Sequence, residues 1–141
     1  MRRIEKIIFM GTPEFAVPTL KKHIQSNRKP QLVITQPDRK RGRGQKLSQS
    51  PIKKLALEYD LEVYQPQSVN ISSSLEKIQT YKPDLIITAA FGKILKNNIL
   101  SIPKYGCINL HPCSCQNIGD LLRSHGRSFM EMQSQAHLFT I

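Results

Sequence analysis

The segment Asp84-Leu85-Ile86-Ile87-Thr88-Ala89-Ala90 is apolar almost without interruption. A run this short reads as a strand covered on both faces, the kind found in parallel sheets with helices packed above and below. The rest of the chain keeps the rhythm that such a sheet demands. Strand-like segments recur at Ile4 to Met10, Leu32 to Thr35, Leu61 to Tyr64 and Cys107 to Leu110. Helical segments fall between them. One starts at Gly11-Thr12-Pro13-Glu14, with Thr12 as N-cap and Pro13 in the first turn. A second opens at Ser50-Pro51 with Ser50 as cap and runs to Glu58, and others span Leu75 to Tyr81 and Lys93 to Leu100. The expected fold class is α/β: a Rossmann-like, mostly parallel sheet with helices on both faces and right-handed crossovers. Gly11 stands alone where a dinucleotide fingerprint would need three glycines, so the sequence lacks the mark of that cofactor class.

A chain of 141 residues is enough for one domain with a real core. No stretch is long enough to span a membrane, and Glu5 and Lys6 interrupt any signal-peptide core near the start. Three cysteines without a Cys-x-x-Cys pair argue against a zinc site or a disulfide scaffold, and the cytoplasm is the default compartment.

The net charge of +11 predicts attraction to a polyanion. All of the excess lies in residues 1–112. Its densest cluster is Arg39-Lys40-Arg41-Gly42-Arg43-Gly44-Gln45-Lys46, which contains no aliphatic residue to pack. A mobile loop is expected there, either a solvated charge run or a contact for nucleic acid.

The run Gly106-Cys107-Ile108-Asn109-Leu110-His111-Pro112 is the best candidate for chemistry. Residues two apart on a strand point the same way, so Asn109 and His111 share a face at the strand's carboxyl end, where open α/β sheets bind ligands. An amide donor beside an imidazole suits acyl transfer. The plainer alternative is a strand running into a His-Pro turn.

Taken together, several segments resemble the N-terminal domain of the methionyl-tRNA formyltransferases. They are Phe9-Met10-Gly11-Thr12-Pro13-Glu14-Phe15-Ala16, Thr35-Gln36-Pro37-Asp38-Arg39 with Gly42-Arg43-Gly44, Ser50-Pro51-Ile52-Lys53, Tyr64-Gln65-Pro66, Ala90-Phe91-Gly92-Lys93-Ile94-Leu95 and the run ending His111-Pro112. The resemblance implies transfer of a formyl group from 10-formyltetrahydrofolate to the α-amine of methionyl initiator tRNA, by a monomer that needs neither metal nor membrane. It makes Asn109 and His111 the catalytic pair and places the folate against Phe91, Gly92, Lys93 and Ile94. Arg39, Arg41, Arg43 and Lys46 become RNA contacts. The Asn-x-His strand end alone also fits other folate-dependent formyltransferases, and a non-catalytic RNA-binding remnant is a further alternative. The basic segment favours the tRNA enzyme.

The resemblance stops at residue 113. The family continues with a Ser-x-Leu-Pro-Lys-Tyr-Arg-Gly segment, whereas this chain has Cys113-Ser114-Cys115-Gln116-Asn117-Ile118-Gly119-Asp120. Back-translating Gln116 to Asp120 and regrouping the bases one position earlier permits Pro-Lys-Tyr-Arg-Gly. The same regrouping turns Met130-Glu131 into a codon for Gly and allows Trp-Ala-Ile from His125 to Ser128. The expectation is one missing base near codon 113. Residues 1–112 are then the formyltransferase domain, with its sheet incomplete at the C-terminal end, and residues 113–141 an out-of-frame, poorly packed tail. His125, His137 and Cys113-x-Cys115 lack the spacing of a closed zinc site. The family's aspartate that sets the histidine has no counterpart here, and the isolated chain is expected to be inactive.

Overall fold

A computed structural model describes residues 3–110 of the chain. Its strands are β1 (Ile7–Gly11), β2 (Leu32–Ile34), β3 (Arg39–Arg41), β4 (Lys46–Ser48), β5 (Val63–Tyr64), β6 (Leu85–Ala89) and β7 (Cys107–Leu110). The helices are α1 (Val17–Gln25), α2 (Pro51–Glu58), α3 (Ser72–Thr80) and the single turn α4 (Asn97–Leu100). Five strands form one sheet in the order β5-β2-β1-β6-β7, and every pairing is parallel.

Every residue of β1 and β6 is buried, as the continuous apolar runs require. Alternate side chains of β1 enter different cores. Ile7 and Phe9 pack with Leu20 and Ile24 of α1 and with Ile52, Leu55 and Ala56 of α2. Ile8 and Met10 face the other way, toward Ile78 of α3 and Ile99 of α4. Full burial of a side chain such as Phe9 contributes roughly 1.5–3 kcal/mol, so the two-faced central strands supply much of the drive to fold.

The start of α2 follows the sequence: Ser50 Oγ accepts from the Lys53 N–H at 3.0 Å, and Pro51 opens the helix. The first helix starts differently. A short 3₁₀ turn, Glu14–Ala16, comes before α1, its N-cap is Pro13, and no side chain caps it. Thr12 is not a cap because its hydroxyl is engaged across the sheet edge, donating to the Phe91 carbonyl at 3.2 Å. The helix expected over residues 93–100 shrinks to α4. Asn70 competes for its first turn: its amide donates to the Ile94 carbonyl at 2.9 Å and its Oδ1 accepts from the Lys96 N–H at 3.0 Å.

The basic segment also departs from expectation. Instead of an unstructured loop it is a two-stranded antiparallel ribbon, pairing Arg39 with Ser48, Lys40 with Leu47 and Arg41 with Lys46. A backbone ladder needs no apolar side chains, and Gly42 at φ +77° supplies the turn, closed by the Gln45 N–H on the Gly42 carbonyl at 3.1 Å. Residues 39–47 are all exposed, in keeping with a segment that has nothing to pack. Among the described residues no helix is long and apolar enough to cross a membrane. The break expected after Pro112 and the tail 113–141, with its cysteines and histidines, lie outside the described residues.

Candidate active site

The chain moves outward from β1 through β2 to β5, then returns to β6 beside β1 and continues to β7 on the other side. The strand order therefore reverses between β1 and β6. At such a reversal the loops leaving the carboxyl ends of the two strands part, and ligands bind in the crevice between them. Gly11 closes β1 opposite Ala89 of β6. It has no room for a side chain, since a Cβ would lie 2.9 Å from the Ala16 Cβ and 3.0 Å from the Ala89 carbonyl oxygen.

The loop after β6 is fixed by polar contacts from two other strand ends. The Phe91 carbonyl accepts from Thr12 Oγ1 at 3.2 Å and from Gln36 Nε2 at 2.8 Å. The Phe91 ring is buried in the core beside Ile8 and Met10, so only its backbone borders the crevice. Ala90 at φ +48° and Gly92 at φ +78° turn the chain sharply around it. Gly92, Lys93 and Ile94 are exposed, and Ile94 leaves 84% of its surface in contact with solvent. Among the described residues the N–H groups of these three have no hydrogen-bond partner. Free donors beside an apolar side chain suit a flat heterocycle with acceptor atoms along its edge.

Asn109 stands on β7 in register with Thr88 of β6. The Thr88 hydroxyl, 5% exposed, donates to Asn109 Oδ1 at 2.8 Å, and the Ile108 carbonyl lies 3.3 Å away. A hydroxyl carries one proton, and the shorter contact takes it. Asn109 itself is exposed, and this bond engages its Oδ1 while no hydrogen bond among the described residues engages its NH₂. Sequence reading missed Thr88. Its signal is the lone hydroxyl in an otherwise apolar buried strand, two residues before the strand ends. His111 lies outside the described residues. Cys107, on the same strand, is partly buried, and that burial pushes its thiol up to about 11.

The ribbon leaves the same edge of the sheet from the end of β2. Arg39, Arg41, Arg43 and Lys46 are all exposed, with Arg43 in the turn at its tip. Arg39 donates to Gln36 Oε1 at 2.6 Å, so Gln36 joins the ribbon's base to the 91–94 loop. Among the described residues no hydrogen bond links Asn109 directly to that loop. Asp38 pairs with Lys53 at 2.6 Å and accepts from Gln65 at 2.8 Å, and these bonds hold its carboxyl below the usual carboxylate range. An open cleft of about 460 Å³ lies at the opposite edge of the sheet, among Lys82, Asp84 and Lys104. There Asp84 accepts from the N–H groups of Glu5 and Lys6, each at 3.0 Å, ahead of β1. That cleft touches none of the candidate residues. Among the described residues no group of His, Cys, Asp or Glu could hold a metal ion.

Residues 5–114 match the family model described as formyl transferase. The chain is 54% identical over 106 residues to a methionyl-tRNA formyltransferase from Geobacter sulfurreducens, covering 75% of this chain and 33% of the relative. It is 52% identical over 107 residues to one from Clostridium botulinum, again covering 75% of this chain and 34% of that protein. The chain thus spans about a third of the length of these relatives. Among solved structures, the phosphoribosylglycinamide formyltransferase of Anaplasma phagocytophilum superposes with a TM-score of 0.57 at 15% identity, over 79% of this chain and 50% of that one. The enzyme of the same name from Streptococcus pneumoniae gives 0.55 at 15% identity, over 77% and 57%. Likeness at that identity establishes the fold. A family match extending over residues 5–114, with the sheet reversal and the Thr88–Asn109 pair inside it, means that the chain belongs to the formyl transferase family.

Proposed function

We propose that this chain carries the reaction edge of an enzyme that moves the formyl group of 10-formyltetrahydrofolate onto the α-amine of methionyl initiator tRNA, in the cytoplasm where translation runs. The observation that carries the reading is the exposed Asn109 amide at the carboxyl end of β7, whose Oδ1 is held by Thr88, leaving the NH₂ as its free donor. In the transfer, the amine nitrogen bonds to the formyl carbon, the carbon's bond to the folate nitrogen breaks, and the proton that the amine sheds ends on that folate nitrogen. Negative charge develops on the formyl oxygen on the way. Asn109 donates to that oxygen, and a preorganised donor of this kind is worth about 3–4 kcal/mol of barrier. His111, which the family resemblance pairs with Asn109, takes the amine proton when neutral or supports the oxyanion when protonated. Gly92, Lys93 and Ile94 supply N–H donors and apolar surface for the pterin, and the Phe91 backbone borders it.

The acceptor reading rests on the ribbon and on the relatives. Exposed Arg39, Arg41, Arg43 and Lys46 form a cationic finger suited to RNA phosphates. The relatives at 52–54% identity are named for the tRNA reaction. The likeness to the glycinamide enzymes lies at the level of fold.

We also propose that residues 113–141 are out-of-frame translation. The family match ends at residue 114, and the regrouped codons beyond it permit the family's own sequence. Resequencing the DNA across codons 111–120 tests this, and an extra base there is the expected result. The protein read from the corrected DNA is then offered two acceptors, methionyl-tRNA and glycinamide ribonucleotide. Formylation of the first alone supports the assignment, and formylation of the second alone replaces it. A single observation, the ribbon, favours a second reading in which the chain binds RNA without catalysis. Binding would then depend steeply on salt and not at all on the methionyl group.

A further inference from the structure

The neck of the basic ribbon is fastened by side chains for which the transfer reaction has no use. Asp38, the residue before β3, forms its ion pair with Lys53 in the first turn of α2, and the two side chains are only 15% and 17% exposed. Lys53 takes Asp38 Oδ2, and Gln65 takes Oδ1, so both carboxylate oxygens are engaged. Gln65 also donates to the Gln36 carbonyl at 3.1 Å. On the returning side, Ser50 Oγ lies 2.7 Å from Thr35 Oγ1, closing the neck where the chain re-enters the domain. All of these groups converge on the four residues between β2 and β3.

The ribbon needs such a fastening. Two strands without a covered face are marginal on their own, and no apolar side chain of residues 39–46 ties this pair to the core. An ion pair largely withdrawn from water is a poor source of stability, because desolvation offsets most of the attraction. What it does supply is a fixed geometry. Lys53 also has its charge matched by Asp38, so it is not an additional phosphate contact. We propose that the Asp38–Lys53 pair is a positioning device that holds the basic ribbon in one direction, ready to meet RNA phosphates. This rests on the reading that the ribbon faces RNA.

Simple electrostatics and positioning predict opposite signs for one substitution. Asp38→Ala removes a negative charge beside a cationic finger, which by charge alone tightens RNA binding. If the pair positions the ribbon, the same change weakens binding, because the freed ribbon must be ordered in the complex. The measurement is the affinity of the full 141-residue chain for a short RNA hairpin with a single-stranded 3′ end, followed by fluorescence anisotropy over a range of salt. Asp38→Ala is expected to lower affinity by about fivefold or more with the salt slope unchanged, since no phosphate contact is lost. Arg43→Ala is expected to lower both affinity and slope. Unchanged or tighter binding by Asp38→Ala, while Arg43→Ala weakens it, overturns the positioning role and leaves the RNA reading standing. No effect of Arg43→Ala removes the RNA reading and the inference with it. Hydrogen exchange at the β1 and β6 amides reports whether the sheet survives each change. If Asp38→Ala unfolds it, the exchanged pair Asp38→Lys with Lys53→Asp takes its place. Restored affinity supports the proposal, and a folded exchanged pair that still binds weakly overturns it.

Discussion

The buried Thr88 hydroxyl donates to Asn109 Oδ1 at 2.8 Å across neighbouring strands, so a core residue decides which way an exposed amide faces. The register that pairs the two residues is set by the parallel ladder between β6 and β7, and that ladder is set by the apolar runs of both strands. Fold and candidate site are joined at this contact.

Thr88→Val preserves the shape and the strand preference of the side chain and deletes only the donor. Because water reaches Asn109 and replaces the lost bond, stability should change by under about 1 kcal/mol. The amide should lose its fixed orientation. In NMR spectra the Asn109 side-chain NH₂ shifts are expected to move toward those of a free, solvated amide in Thr88→Val and to stay as in the parent chain in Thr88→Ser. Identical spectra for the Val variant would show that the hydroxyl does not orient the amide.

Gly42 and Gly92 test backbone strain against crowding. Their φ angles are nearly equal, +77° and +78°, so an alanine is strained at either position. At Gly42 nothing lies within 4 Å of the added Cβ, whereas at Gly92 the Gln36 Nε2 is 2.5 Å away. Gly42→Ala should therefore cost about 1 kcal/mol, the usual cost of left-handed backbone. Gly92→Ala should cost more, about 2–3 kcal/mol, because it also drives Gln36 off the Phe91 carbonyl. Urea unfolding midpoints of the two variants give the comparison, and equal losses would mean that Gln36 yields freely.

The sequence made the frame of this protein legible because parallel strands buried on both faces leave unmistakable apolar runs, as in β1 and β6. Ser50 was legible for a local reason: a cap and its helix lie within three residues of each other. Thr12 fits the same local pattern but caps nothing, because its hydroxyl is used by Phe91, which is 79 residues away. Contacts of that range leave no pattern in a single sequence. The ribbon was hidden in the opposite way: its strands are held by backbone alone, and residues 39–46 carry no alternation of apolar side chains from which to read a strand. The Gln36–Phe91 and Asp38–Lys53 contacts likewise follow from topology, since they join the ends of elements that only the assembled sheet brings together.

Acid should loosen the neck of the ribbon. Hydrogen bonds from Lys53 and then Gln65 lower the Asp38 carboxyl, and those from the Lys6 and Glu5 N–H groups lower that of Asp84. A carboxylate whose folded value lies below its unfolded one contributes stability that is complete above the ordinary range near pH 4 and is lost as the pH falls through it toward the depressed value. Stability measured by urea unfolding should therefore fall as the pH drops below about 4. The gap between the parent chain and Asp38→Asn should be widest at neutral pH and should narrow on acidification. A gap that stays constant with pH would mean that the Asp38 charge contributes nothing to the folded state.

Ile94 separates a binding surface from a packing one. Leaving 84% of an isoleucine in water gains nothing for the fold, so Ile94→Ser should change stability by no more than about 0.5 kcal/mol. If the loop from Gly92 to Ile94 receives the pterin, the same substitution removes apolar contact area from the ligand alone. Affinity for a fluorescent folate analogue should then fall by about five- to tenfold, the loss expected for part of one buried aliphatic side chain. The two readouts move independently only under that assignment. A loss of stability would make Ile94 a packing residue, and an unchanged affinity would place the folate elsewhere along the edge, leaving the free N–H groups of the loop without a ligand to explain them.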